Sequence, residues 1–199
     1  MTHTPRDASY WQSVYDEGNP GWDKGAAAPP LRRVLEQVVP PAGLAALVPG
    51  CGFGHEALML ARLGYQVTAV DFAPAAIAGL QSRAGALPVT ALQCDLFDLA
   101  EGFTSAFDLV VEHTCFCAIP IEMRGQYAEV MAQVLRAEGQ FLGLFYETER
   151  PGGPPFRTTR EDVERHFSPH FEILAISRPP DSFAGREGKE WLALMRKKG

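Results

Sequence analysis

Residues 47–54 read Leu47-Val48-Pro49-Gly50-Cys51-Gly52-Phe53-Gly54, and Asp71 closes the next apolar run. A glycine-rich turn after a strand lets backbone approach a ligand closely. An acid about 20 residues on, after a second strand, is placed to hydrogen-bond a ribose. The pair points to a nucleoside-bearing cofactor on an α/β sheet. The dinucleotide fingerprint, G-x-G-x-x-G/A, is not met: Gly50, Gly52 and Gly54 give G-x-G-x-G, and position 55 is His55. A histidine there crowds the helix–strand packing that a third glycine permits. The turn does not read as a phosphate-binding Walker loop either.

Outward from the turn, strand-like and helix-like runs alternate, the signature of a doubly wound parallel sheet with helices on both faces. Strands are expected at 44–48, 66–70, 89–94, 107–112 and 140–146, with a closing antiparallel pair at 171–177 and 191–196. Helices are expected at 8–17, 31–39, 55–63, after Pro74, at 122–135 and at 161–167. Gly64 caps the third of these, and Pro40-Pro41 stops the second. Residues 18–30 and 152–155 are rich in Gly and Pro and read as loops. No repeat or long linker divides the chain. The expectation is one domain over 1–199, a Rossmann-like seven-stranded, mostly parallel sheet, with 1–30 as an N-terminal lid. Ligands belong past the carboxyl ends of the first four strands.

The 199 residues carry a formal net charge of −6, which argues against a nucleic-acid partner, since phosphate binding needs clustered Lys and Arg. No run approaches ~18 consecutive apolar residues, so no membrane span is expected. Residues 1–20 lack the apolar core of a secretory signal. Cys51, Cys94, Cys115 and Cys117 then read as reduced thiols, the spacing of Cys115 and Cys117 fits no usual zinc site, and no metal is expected. A cytoplasmic protein is the resulting expectation; a monomer or weak dimer is expected beside it, with no residue pattern that decides the oligomeric state.

Asp95 stands just past the third strand. A G-x-G-x-G turn with acids after strands two and three is the pattern of Rossmann-like S-adenosylmethionine-dependent methyltransferases. More of the chain resembles one family within that class, the thiopurine S-methyltransferases, which include halide and thiol methyltransferases. Trp11, Tyr15 and Trp22 fall where that family places aromatic residues around the cofactor, and Trp22-Asp23-Lys24-Gly25 resembles its W-D-x-G. Leu47-Val48-Pro49-Gly50-Cys51-Gly52 is similar to its L-V-P-G-C-G, with Val48 where many other methyltransferases carry an acid. The run from Gly64 to Asp71 resembles G-x-x-V-x-G-x-D/E, with Ala69 for the second glycine. Asp95-Leu96-Phe97 resembles D-x-F. Phe107-Asp108, followed by Phe116, Ala118 and Ile119, and Gly153-Pro154-Pro155-Phe156 resemble two further motifs.

The resemblance implies a methyl donor, S-adenosyl-L-methionine (product S-adenosyl-L-homocysteine), held by Trp11, Tyr15, Trp22, Gly50, Gly52, Asp71, Phe72, Asp95, Leu96 and the strand-four acid Glu112. It implies a small methyl acceptor, most simply a thiol or thiopurine-like sulfur, near His113, Phe116, Arg124 and Phe156. Relatives often carry Tyr or Arg after the strand-four acid. His113 stands there instead, which puts a halide-type pocket in question and offers a general base toward a thiol. Methylation of a halide, sulfide, selenium or tellurium acceptor, O- or N-methylation of a small metabolite, and a non-catalytic sensor of the donor are the competing readings. An NAD-dependent oxidoreductase is disfavoured by His55.

Overall fold

A computed structural model describes residues 8–18, 20–37 and 43–199. In chain order its elements are α1 Ala8–Asp16, α2 Pro29–Glu36, β1 Ala45–Pro49, α3 His55–Arg62, β2 Gln66–Asp71, α4 Pro74–Ala84, β3 Val89–Gln93, α5 Leu99–Phe103, β4 Phe107–His113, α6 Arg124–Val134, β5 Leu135–Tyr146, α7 Arg160–Phe167, β6 Phe171–Ser177 and β7 Glu190–Lys197. The strands form one seven-stranded sheet in the order β3-β2-β1-β4-β5-β7-β6. β7 runs antiparallel to both β5 and β6, and the other pairings are parallel. The order reverses beside β1, between β1 and β4, which is where an open sheet of this kind opens a ligand crevice.

Alternation along the strands divides the core into two layers. Leu47 and Val110 point into one, with Phe141 and Phe145 packed against Phe167 of α7. Ala46, Val48, Leu109, Val111, Leu142 and Leu144 point into the other, against α2, α3 and α4. Gly143 lies between Phe141 and Phe145 because a Cβ there would sit 2.9 Å from one ring and 2.6 Å from the other. The central strands are thus buried on both faces, as their near-continuous apolar runs require.

Local chemistry sets the ends. α3 closes in a Schellman motif: Gly64 N donates to Ala61 O, Tyr65 N to Leu60 O, and Gly64 has φ +100°. α7 opens with a reciprocal capping box, Thr159 and Asp162 each accepting the other's backbone N–H. Thr159→Ala is expected to cost about 1 kcal/mol, read as a lower urea midpoint at unchanged slope.

Two expectations shift. Pro29 and Pro30 do not belong to the preceding loop; they open α2, where their missing N–H groups cost nothing. The expected stop at Pro40-Pro41 lies outside the described residues. α6 ends at Val134 and β5 begins at once at Leu135, five residues earlier than expected. The additional length includes an irregularity against β4, with Glu138 at φ +61°. Among the described residues no helix is long and apolar enough to cross a membrane.

Candidate active site

The glycine turn leaves β1 at Pro49, whose register partner is Val70, so Gly50 emerges beside Asp71. Cys51 N donates to Val70 O at 2.9 Å, tying the turn to β2. Gly50, Gly52 and Gly54 all have positive φ. At Gly50 a Cβ would lie 2.6 Å from Cys115 Sγ; at Gly54 it would collide with Leu80 of α4. The third glycine therefore serves helix packing, and His55 turns outward, its Nε2 2.9 Å from Asp23 Oδ1. That contact fastens the Trp22 loop to α3.

Asp71 is buried at the end of β2. Its Oδ2 accepts from Gly52 N and its Oδ1 from Ala73 N, both at 3.0 Å, so it braces both turns around it. Burial raises its pKa, and the backbone donors hold part of that rise back. Asp95, exposed just past β3, caps the following turn by accepting from Phe97 N at 3.0 Å with Oδ1.

Gly50, Asp71 and Asp95 line one end of a cavity of about 570 Å³ at the carboxyl edge of the sheet. Phe72 and Leu96 line it as well. Trp11, Tyr15 and Trp22 stand over it in an edge-to-face cluster, with centroids 5.3 Å apart for Trp11–Trp22 and 5.5 Å for Tyr15–Trp22. Gly52 sits under this cluster, where a Cβ would be 3.2 Å from the Tyr15 hydroxyl. α1 is docked by Gln12, whose Oε1 accepts from Ala75 N at the start of α4. The two acids at adjacent strand ends, beside backbone bare enough for close approach, suit a nucleoside that presents hydroxyl and amino donors.

The structure does not bring the remaining predicted residues to this cavity. Glu112 is fully buried beneath the turn after β4, its Oε1 accepting from Cys115 N at 2.8 Å and Phe116 N at 2.9 Å. It organises the turn and is not part of the cavity lining. Phe116 points into the core among Tyr127, Phe145 and Phe167. The Arg124 guanidinium stacks on Phe116 and donates to Phe156 O, Arg157 O and Thr158 Oγ1, so its hydrogen bonds hold the 156–158 loop. Phe156 packs over Gly153, and the neighbouring Pro154 and Pro155 reach the cavity in its place.

His113 lies behind the cavity wall with both ring nitrogens engaged: Nδ1 is 2.8 Å from Glu56 Oε1 and Nε2 3.3 Å from Arg186 Nη1. Burial alone pulls its pKa down. The Glu56 carboxylate outweighs burial and holds it above the ordinary value, against the opposing charge of Arg186.

Sequence reasoning missed the far end of the cavity, where Tyr146, Thr148, Arg150 and Arg186 contribute to the wall. A signal existed. β7 is antiparallel, so the loop that leads into it returns to the same edge as the carboxyl ends of the parallel strands.

The profile of the thiopurine S-methyltransferase family (TPMT) matches residues 6–198. The chain belongs to this family. Thiocyanate methyltransferase 1 of Brassica oleracea is 32% identical over 193 residues, covering 94% of this chain and 84% of that protein. Thiopurine S-methyltransferase of Shewanella sp. (strain W3-18-1) is 26% identical over 188 residues, 86% of each chain. Among solved structures, Burkholderia thailandensis 1,6-didemethyltoxoflavin-N1-methyltransferase with bound 1,6-didemethyltoxoflavin and S-adenosylhomocysteine aligns with a TM-score of 0.76 at 24% identity, over 96% of this chain and 87% of that one. This thiopurine S-methyltransferase family member is an S-adenosylmethionine-dependent methyltransferase acting on a small molecule.

Proposed function

We propose that the enzyme S-methylates a small, soft, anionic nucleophile of the thiolate or thiocyanate kind. One observation carries this reading: the two carboxylates in the cavity wall, Asp71 and Asp95, follow β2 and β3, whereas Arg150 and Arg186 line the wall beside Tyr146 and Thr148, beyond the end of β5. Lys24, next to Trp22, is the third cation in the wall, and Arg186 is held by Glu190 behind it. The names of the related thiocyanate and thiopurine methyltransferases point the same way.

In this reading Gly50, Gly52, Asp71, Phe72, Asp95 and Leu96 hold the donor of a single-domain enzyme, and Trp11 and Tyr15 of α1 with Trp22 cover it as a lid. When bound, S-adenosylmethionine supplies an electrophilic methyl group on a sulfonium sulfur. The work of the chain is to align the nucleophile with that methyl and to exclude water. The aromatic cluster excludes water and presents ring faces to a cation. Arg186 draws the anion to the opposite end. A soft anion needs no general base, which agrees with His113 standing behind the wall. Burial keeps the Tyr15 phenol protonated, so it adds no negative charge to the site. The four cysteines are unpaired, in keeping with a reducing, cytoplasmic setting.

The test is calorimetric binding of S-adenosylhomocysteine, followed by a methyl-transfer screen over thiols, sulfide, thiocyanate, iodide, thiopurines and neutral amines and alcohols. Anionic sulfur acceptors are expected to give the highest kcat/KM, and a neutral amine or alcohol that surpasses them overturns the reading. Trp11→Ala with Trp22→Ala is expected to weaken S-adenosylhomocysteine binding about tenfold, the scale of losing two aromatic contacts. Unchanged affinity and turnover in that double variant would remove the lid.

A further inference from the structure

Glu56, His113, Arg186 and Glu190 form one buried chain of ionisable groups drawn from four parts of the fold: the first turn of α3, the end of β4, the β6–β7 loop and the start of β7. Their side chains are 9%, 9%, 8% and 0% exposed. Only Arg186 lines the cavity. Its Nη1 lies 3.3 Å from His113 Nε2 and 3.2 Å from Glu190 Oε1, and its guanidinium carbon stands 4.8 Å over the Tyr146 ring.

A guanidinium has donors only, so the 3.3 Å contact with His113 Nε2 is a hydrogen bond only when the ring is neutral, above the pKa that Glu56 raises. The ring proton is then on Nδ1, which donates to Glu56 Oε1 at 2.8 Å. Glu56 therefore selects the tautomer that Arg186 needs. The same Glu56 oxygen accepts from Ala28 N at 3.0 Å, which fixes the carboxylate from the side of the loop after Trp22. Apolar side chains would fill this volume at less electrostatic cost. What the polar chain adds is a direction for the guanidinium.

We propose that Glu56 and His113 are positioning residues that aim Arg186 at the acceptor, and so set acceptor affinity without touching either substrate. The proposal rests on the acceptor end being the one described above, and it assigns His113 a fixed-tautomer role in place of a proton-transfer one.

The experiment compares Arg186→Met, His113→Asn, His113→Gln and Glu56→Gln with the parent enzyme, using thiocyanate, which does not titrate near neutrality. Thiocyanate KM and kcat are measured beside the Kd of S-adenosylhomocysteine. Arg186→Met is expected to raise KM tenfold or more, with Kd changed less than about twofold, the scale of losing a charge-assisted contact. The asparagine amide reaches only the Nδ1 position, so His113→Asn is expected to raise KM about tenfold. The glutamine amide oxygen can occupy the Nε2 position, so His113→Gln is expected to stay within about threefold of the parent. Glu56→Gln, which no longer enforces the tautomer, should fall between them.

If Arg186→Met leaves KM unchanged, the acceptor-end reading fails. If it raises KM while His113→Asn and His113→Gln behave alike, the relay fails and that reading stands. Should the His113 variants not fold, ring-nitrogen NMR on the parent decides the relay. A neutral ring protonated on Nδ1 at pH 9 supports it, and any other protonation state overturns it.

Discussion

Asp71→Ala is expected to weaken S-adenosylhomocysteine binding by about 100-fold or more and to lower stability by about 2–4 kcal/mol. The two effects have one cause. The carboxylate accepts from Gly52 N and Ala73 N, and both hydrogen bonds are buried. Removing it strands two N–H groups and frees the glycine turn and the start of α4 together. It also removes the acceptor that stands at the donor end of the cavity. Asp71→Asn should recover part of the stability, because its oxygen satisfies one N–H while its NH₂ faces the other. Calorimetry and thermal denaturation on both variants read the two effects separately. An alanine variant that binds S-adenosylhomocysteine as tightly as the parent would take Asp71 out of the donor site.

Asp71 was legible in the sequence because its placement is a local matter. A strand, a glycine turn and a second strand fix where the turn and the acid meet, and the β1–β2 register brings Gly50 beside Asp71 whatever the rest of the chain does. Asp95 follows by the same rule one strand outward. The sheet itself was legible through alternation of strand and helix, and its antiparallel closure through two short runs near the end. The acceptor end was not legible in this way. Phe116 and Phe156 lie in motifs and Arg124 follows the first of them along the chain, but a turn after β4 has two sides, and the sequence does not say which side faces inward. Phe116 turns into an aromatic cluster, and Arg124 follows it to bind three oxygens of the 156–158 loop. Arg186 carries no motif at all. It reaches the cavity only because β7 runs backward, so that its leading loop returns to the active edge.

The strand-four acid yields a second large effect, one that concerns folding and pH. Glu112 is fully buried, and burial pushes its pKa up to about 7 even though two backbone donors favour the carboxylate. Its Oε2 has no hydrogen-bond partner. In the unfolded chain the same carboxyl titrates at about 4.3. Between that value and 7 the unfolded chain gives up the proton while the folded chain keeps it. Stability therefore falls as pH rises through this window, and above it the buried charge costs about 4 kcal/mol. Glu112→Gln resembles the protonated acid: its oxygen still accepts from the turn, and its NH₂ stands where Oε2 stood. The variant is expected to be more stable than the parent at pH 8 by about 2–3 kcal/mol, a rise of about 5–10 °C in Tm, with the gain shrinking to nothing near pH 4.5. Denaturation curves at several pH values measure it. A glutamine variant less stable than the parent at pH 8 would mean that the turn holds an ionised carboxylate more strongly than burial opposes it.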